Sequence, residues 1–265
     1  MTLFTPFERA WHHQELIRAV VRREFASRFR DSFLGWIWAI FAPLAMLAAY
    51  TTIFSIAAPT VAKGISTLDY AAASFCGLIL YNTFAELLAR APLLMHEHAN
   101  FIKKSIFPAE TVAWTALARA MIYAGVSFAT LIVFRLVTAH TLPWTVVLFP
   151  IVVVPFALLM LGMCWFLMAL GAFTKDVSHL MVAIVPLLMF GTPVFFSIEQ
   201  LPPNLQFWFK FNLVGDFIGM LRDLVIYGRL PGALEYGACF VASYAVFLFG
   251  YRFFNEYRSV IVDVI

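Results

Sequence analysis

Six apolar runs are separated by segments whose basic residues fall mostly on one side of them, and this order constrains the chain more than any single motif. The runs lie at about residues 34–57, 70–91, 111–137, 143–172, 180–198 and 234–254. A bilayer core about 30 Å thick takes roughly 20 apolar residues per helix. Inside it every backbone polar group must be satisfied within the structure, which a helix does by itself. Only 12% of the residues are charged and 63% are hydrophobic, against roughly 25% charged in soluble domains. The expectation is an all-α membrane protein with six transmembrane helices. The third and fourth runs have length to spare for tilt.

Charge sets the orientation. With the first residues in the cytoplasm, the inner segments hold twelve Lys/Arg and the outer ones five, with Arg119 alone well inside a span. That asymmetry places both termini in the cytoplasm. The first 31 residues lack the apolar core of a signal peptide and carry Arg9, Arg18, Arg22, Arg23, Arg28 and Arg30 instead, so an uncleaved first span is expected. Residues 7–33 are amphipathic, with Trp11, Leu16, Val20, Phe25 and Phe29 at near-helical spacing and arginines between them. A helix of that kind lies in the headgroup plane. Residues 1–33 are therefore read as a cytoplasmic interface helix and 34–265 as one transmembrane domain.

Two connections are too apolar to be solvated loops. The inner one, APLLMHEHANFIKKSIFPAE from Ala91, predicts a short amphipathic helix able to dock on a soluble partner. The outer one, from Ile198 to Pro231, contains two amphipathic pieces too short to span. Re-entrant or interfacial helices, forming an outer gate, are expected there.

Charged groups inside spans pair or face a cavity. Glu86 lies about one turn, and Arg119 about two turns, from the inner ends of consecutive antiparallel spans. They read as an ion pair, with a charge lining a translocation path as the alternative. Arg90, four residues after Glu86, is a second candidate partner. No chain of buried acids crosses the membrane, which disfavours a proton relay. His96-Glu97-His98 lacks the i,i+4 histidine spacing and third ligand of a metal site, so no metal is expected. Cys76, Cys164 and Cys239 each sit in an apolar run and read as small buried residues. Trp38, Phe41, Tyr50 and Phe54 in the first span, with Phe190, Phe195 and Phe196 at the fifth, are candidate channel-lining aromatics. Ring faces stack on the C–H faces of sugars, although membrane-interface belts and core packing use the same residues. Neither G-x-x-x-x-G-K-[ST] nor G-x-G-x-x-G occurs. Any ATP-driven step would need another chain.

Residues 22–55 carry Arg28, Arg30, Ser32, Leu34, Gly35, Trp38 and Pro43 in the order R-x-R, S-x-L-G-x-x-W and Pro, leading into the first span. Asn100, Lys104, Phe107 and Pro108 follow in the inner connection, then Leu201-Pro202, Asn212 and Arg222-Asp223 in the outer one, then Tyr257 and a Val-Asp-Val-Ile end. This pattern resembles the ABC-2-type permeases that export surface polysaccharides, over nearly the whole chain. The sequence departs from that family where its usual Asn-Pro pair is Asn212-Leu213, and where Lys103-Lys104 replaces a single lysine.

The resemblance implies a homodimer bound to two copies of a separate nucleotide-binding protein that holds ATP and Mg, with no cofactor, no catalysis and no nucleic-acid partner on this chain. The implied place is the bacterial inner membrane. The implied function is export of undecaprenyl-linked O-antigen or a related surface polysaccharide. The alternatives are a capsule or teichoic-acid exporter on the same plan, and an ATPase-independent secondary transporter or channel. The resemblance further implies a coupling helix using His96, Glu97, Asn100, Phe101, Ile102, Lys103, Lys104 and Phe107. It also implies that Arg22, Arg28 and Arg30 meet the pyrophosphate of the lipid-linked glycan, since forked guanidinium groups suit phosphate oxygens.

Overall fold

The computed structural model describes residues 5–29, 37–61, 66–103, 108–196, 198, 202–209 and 211–265, and their side chains except those of 27–29, 54–61 and 205. Among these residues every regular element is helical. In chain order they are α1 Thr5–His12, α2 Gln14–Phe29, α3 Ile37–Val61, α4 Thr67–Arg90, α5 Leu94–Glu97, α6 Ala99–Lys103 and α7 Thr111–Ala139. They continue as α8 Phe149–Phe173, α9 Asp176–Phe190, α10 Pro203–Phe209, α11 Leu213–Arg222 and α12 Ala233–Val264. Tight turns at Ala91–Leu93 and Trp144–Leu148 lead into α5 and α8, and a wide π-type turn, Asp223–Tyr227, follows α11.

Four helices among the described residues are long and apolar enough to cross a membrane: α4, α7, α8 and α12. The helices α3 and α9 are apolar but shorter by this measure. The fifth run, expected over 180–198, forms a helix only to Phe190, because Gly191, Thr192 and Pro193 break it. At 15 residues it is about 22 Å long. The amphipathic segment, expected as one helix over 7–33, is two helices divided at His13. The inner connection, expected as one short helix, is the pair α5 and α6, divided at His98.

The most enclosed helix is α4. Its N-terminal half contains Ala71, Ala72, Ala73, Ser74, Cys76 and Gly77, and such small side chains let neighbouring backbones come close. An added Cβ on Gly77 would lie 2.8 Å from the Val194 carbonyl oxygen. The tightest approach joins α8 and α12. There a Cβ on Gly250 would lie 1.9 Å from the Gly162 carbonyl oxygen, and one on Gly162 would lie 2.3 Å from that of Val246. Trp165, fully buried beside this crossing, packs on Tyr251 at 5.0 Å and Trp114 at 6.1 Å between ring centres. From α1, Phe7 stacks on Phe247 at 5.1 Å. The N-terminal helix is thereby joined to the core by an aromatic contact as well as by charge.

Candidate functional site

Two ion networks occupy the end of the bundle where α1, α2, α5 and α6 gather. The first is built on Glu24, near the end of α2. Its Oε2 lies 3.3 Å from Arg90 Nη1 and 3.8 Å from Arg119 Nε, and its Oε1 lies 3.1 Å from His98 Nε2. Arg119 Nη2 lies 3.2 Å from Glu86 Oε1, and Arg90 Nη2 lies 2.8 Å from Glu97 Oε2. His98 turns its other ring nitrogen to the Leu94 carbonyl at 2.9 Å. Burial by itself raises the Glu24 carboxyl, but the His98 hydrogen bond and the charges of Arg90, His98 and Arg119 outweigh it and lower the pKa to about 2. One carboxylate thus ties α2 to the C-terminal end of α4, to the α5–α6 turn and to α7.

Glu110, just ahead of α7, is the second hub. Arg9 from α1 lies 2.9 Å from its Oε1, and Arg258 from α12 lies 3.2 Å from its Oε2. Trp165 Nε1 donates to the Glu110 backbone carbonyl at 3.0 Å. The helix α1 and the C-terminal part of α12 therefore meet on one carboxylate.

At the opposite end Arg222 is buried and holds three backbone carbonyls. Its Nε donates to Ala73 at 2.9 Å, one terminal nitrogen to Phe196 at 3.1 Å, and the other to Val194. Those carbonyls belong to α4 and to the turn after α9, so Arg222 staples α11 to both. Asn212 caps α11: its Oδ1 accepts from Gly215 N–H at 3.0 Å, and its amide donates to Gly191 at 2.7 Å and Thr192 at 2.9 Å. Asn212 supplies this cap with Leu213 as the first residue of α11. Arg135 and Asp69 pair between the C-terminal end of α7 and the N-terminal end of α4. Burial, then the Glu235 carboxylate, raise Asp216 to about 6.

We expect Arg222→Lys to lower the unfolding free energy of the full chain in detergent by about 2 kcal/mol, because a single ammonium leaves buried carbonyls unpaired. A change within about 0.5 kcal/mol, the span of an ordinary surface substitution, would show that the outer segment is held by packing alone.

The sequence-derived site residues divide as follows. Glu86 and Arg119 come together, whereas Arg90 turns from Glu86 to Glu97 and Glu24. In the inner connection Glu97, Asn100, Phe101 and Lys103 are exposed, His96 contacts the Gly171 carbonyl at 3.2 Å, and Ile102 is buried. Lys104 and Phe107 lie outside the described residues. The Arg23 guanidinium stands 4.8 Å over the Phe101 ring. Arg22 is exposed on α2 beside an apolar groove formed with Ala118 and Ile122 of α7. The backbone of Arg28 lies in α2 but its side chain is outside the description, as is all of Arg30. Of the aromatics, Trp38, Phe41 and Phe190 are exposed. Tyr50 packs on Phe195 at 5.4 Å, and Phe196 packs on Phe209 at 5.4 Å. The Phe54 side chain is outside the description.

Residues 15–226 match the family model described as ABC-2 type transporter. The chain is similar to the O-antigen export system permease protein RfbA of Myxococcus xanthus, 23% identical over 191 residues, or 72% of each chain. Two proteins of that same name from Klebsiella pneumoniae are 20% identical over 218 residues, 82% of each chain, and 19% identical over 254 residues, 95% of each chain.

Proposed function

Because the chain belongs to the ABC-2 type transporter family, we propose that it is the membrane-spanning permease of an ATP-driven exporter of O-antigen or a related surface polysaccharide. The observation that carries this reading is the end-to-end similarity to O-antigen export permeases, which reaches 95% of each chain. The working unit is two copies of this chain with two copies of a nucleotide-binding protein that carries ATP and Mg. The unit sits in the bacterial inner membrane with both termini in the cytoplasm. The shorter helices α3 and α9 complete six spans, and α10 and α11 form the outer gate. The cargo is an undecaprenyl-linked glycan whose pyrophosphate meets Arg22, Arg28 and Arg30. The exposed aromatics Trp38, Phe41 and Phe190 suit a glycan path between the two copies.

Several structural features support this arrangement. The ion networks gather at the end that the charge asymmetry assigns to the cytoplasm. There Glu97, Asn100, Phe101 and Lys103 form an exposed face on two short helices, which suits docking on the ATPase. Motion of those helices passes through His98, Arg90 and Glu24 into α2, the helix that borders the membrane entry. The sequence encodes no nucleotide site of its own, so hydrolysis belongs to the partner.

A strain lacking this gene tests the reading. The surface glycan ladder is expected to disappear while full-length lipid-linked polymer accumulates inside, and a P-loop protein is expected to co-purify with the tagged chain. An unchanged ladder with no accumulation would refute the export function.

A further inference from the structure

A cavity of about 400 Å³ lies between α3, α4 and α7, within the range of small-molecule sites. Trp38 stands in the first turn of α3, Asn82, Thr83 and Glu86 line the last third of α4, and Tyr123 and Ser127 face it from the middle of α7. The cavity therefore occupies the half of the bundle nearer the ion networks. A crevice among membrane helices is ordinarily apolar, since polar groups there cost free energy unless paired. This one gathers an amide, three hydroxyls and a carboxylate.

The bonding already made narrows what fits. The Thr83 hydroxyl donates to the Ile79 carbonyl at 2.6 Å, leaving it as an acceptor. Asn82 is exposed toward the cavity, and the bond its amide makes among the described residues runs 3.6 Å to the Met46 thioether, a weak acceptor. Its carbonyl and second N–H remain to be used. Among the described residues no Lys or Arg lines the cavity, and Glu86, paired with Arg119 at 3.2 Å, sets a carboxylate on its wall, so a phosphate is disfavoured. A hydrocarbon chain would leave the amide without a partner. An exposed indole at the mouth, with an amide, hydroxyls and a carboxylate behind it, matches a neutral ring bearing several hydroxyls. Its C–H face stacks on the indole and its hydroxyls donate to the carboxylate and exchange with the amide.

We propose that this cavity, lined by α3, α4 and α7 of a single subunit, binds one neutral pyranose unit. The inference rests on the glycan-export reading and deepens it. The pyranose arrives either on a lipid anchor or as a free sugar, and the two sources are told apart by the probe.

The test uses the full-length protein in nanodiscs free of sugar detergents. Trp fluorescence is titrated with the methyl glycosides of glucose, galactose and mannose, and in a second arm with monoglucosyl diacylglycerol in the bilayer. Saturable binding is expected in at least one arm, weakened at least tenfold by Asn82→Leu. Leucine suits a membrane helix, and thermal unfolding checks that the variant is folded. Ser127→Ala, a smaller change, is expected to weaken binding several-fold and guards against a misfolded first variant. Binding of the glycolipid alone assigns the site to a lipid-borne head group, and binding of free glycosides assigns it to sugar as such. Absence of saturable binding in both arms, unchanged binding by both variants, or displacement of the sugar by phosphatidylglycerol would overturn the proposal. Because binding is read without transport, its failure alongside a lost surface ladder in the deletion strain would sink this site and leave the export reading standing.

Discussion

Glu24→Ala is expected to abolish export while leaving ATP hydrolysis by the associated ATPase running. The carboxylate is the shared partner of Arg90, His98 and Arg119. Removing it leaves Arg90 only Glu97 and Arg119 only Glu86, and losing one side of a largely buried pair costs about 3 kcal/mol. The local consequence is release of α2 from α5, α6 and α7. The functional consequence, on the coupling reading, is that movement of the docked short helices no longer reaches α2. Reconstituted vesicles report both rates at once, and protease cleavage within α2 reports its release. Glu24→Asp, which keeps the charge but shortens the reach, is expected to retain part of the export. Full export by Glu24→Ala, with α2 still protected, would show that the network only decorates the surface. The pH dependence has a defined sign. The Glu24 pKa is lowered to about 2 from an ordinary value near 4.5. Its contribution to stability is therefore complete above pH 4.5 and drains away as pH falls toward 2. Near neutral pH the group stays ionised, so its titration does not limit export.

Gly250→Ala is expected to have the largest effect on folding itself. The new methyl carbon would lie 1.9 Å from the Gly162 carbonyl oxygen and 2.6 Å from its carbon, both backbone atoms. No side chain can rotate away, so α8 and α12 must separate along their whole contact. Overpacking a core usually costs about 1–3 kcal/mol, and a clash between two backbones belongs above that range. Little folded protein is expected in the membrane fraction, with early unfolding of what remains in detergent. Gly237→Ala, on the same helix with open space around its Cβ position, is the matched control. Equal yield and equal melting of the two variants would mean that the α8–α12 crossing accommodates a methyl group at Gly250.

Much of this architecture can be read from residue order, because length and apolarity dominate where a chain crosses a membrane. Consecutive antiparallel helices also put Glu86 and Arg119 at similar depth, and the structure sets them 3.2 Å apart. Glu24 is a different matter. In the sequence it follows Arg22 and Arg23 on an amphipathic segment and reads as one more exposed charge, since its three partners come from residues 90, 98 and 119. Glu110 and Arg222 are hidden for the same reason: their partners are distant in the chain, and those of Arg222 are backbone carbonyls that carry no sequence signal. The helix α9 stops early at a Gly-Thr-Pro break that the surrounding apolar residues mask. Ile102 shares the inner connection with exposed residues, but the division of that segment into α5 and α6 turns it inward. Hydropathy fixes which segments are buried in the bilayer. It does not fix rotation about each helix, and rotation decides which polar groups meet.

The convergence of Arg9 and Arg258 on Glu110 gives the chain an order of completion. Arg9 and Glu110 are both synthesised early and can pair while later helices are still leaving the ribosome. Arg258 arrives only when α12 has been made almost to its C-terminal end. A nascent chain thus holds a half-filled clasp until the turn that carries Arg258 is in place. A chain truncated before that turn leaves Glu110 short of one cation, and a membrane quality-control protease would meet a feature that copies with the closed clasp lack.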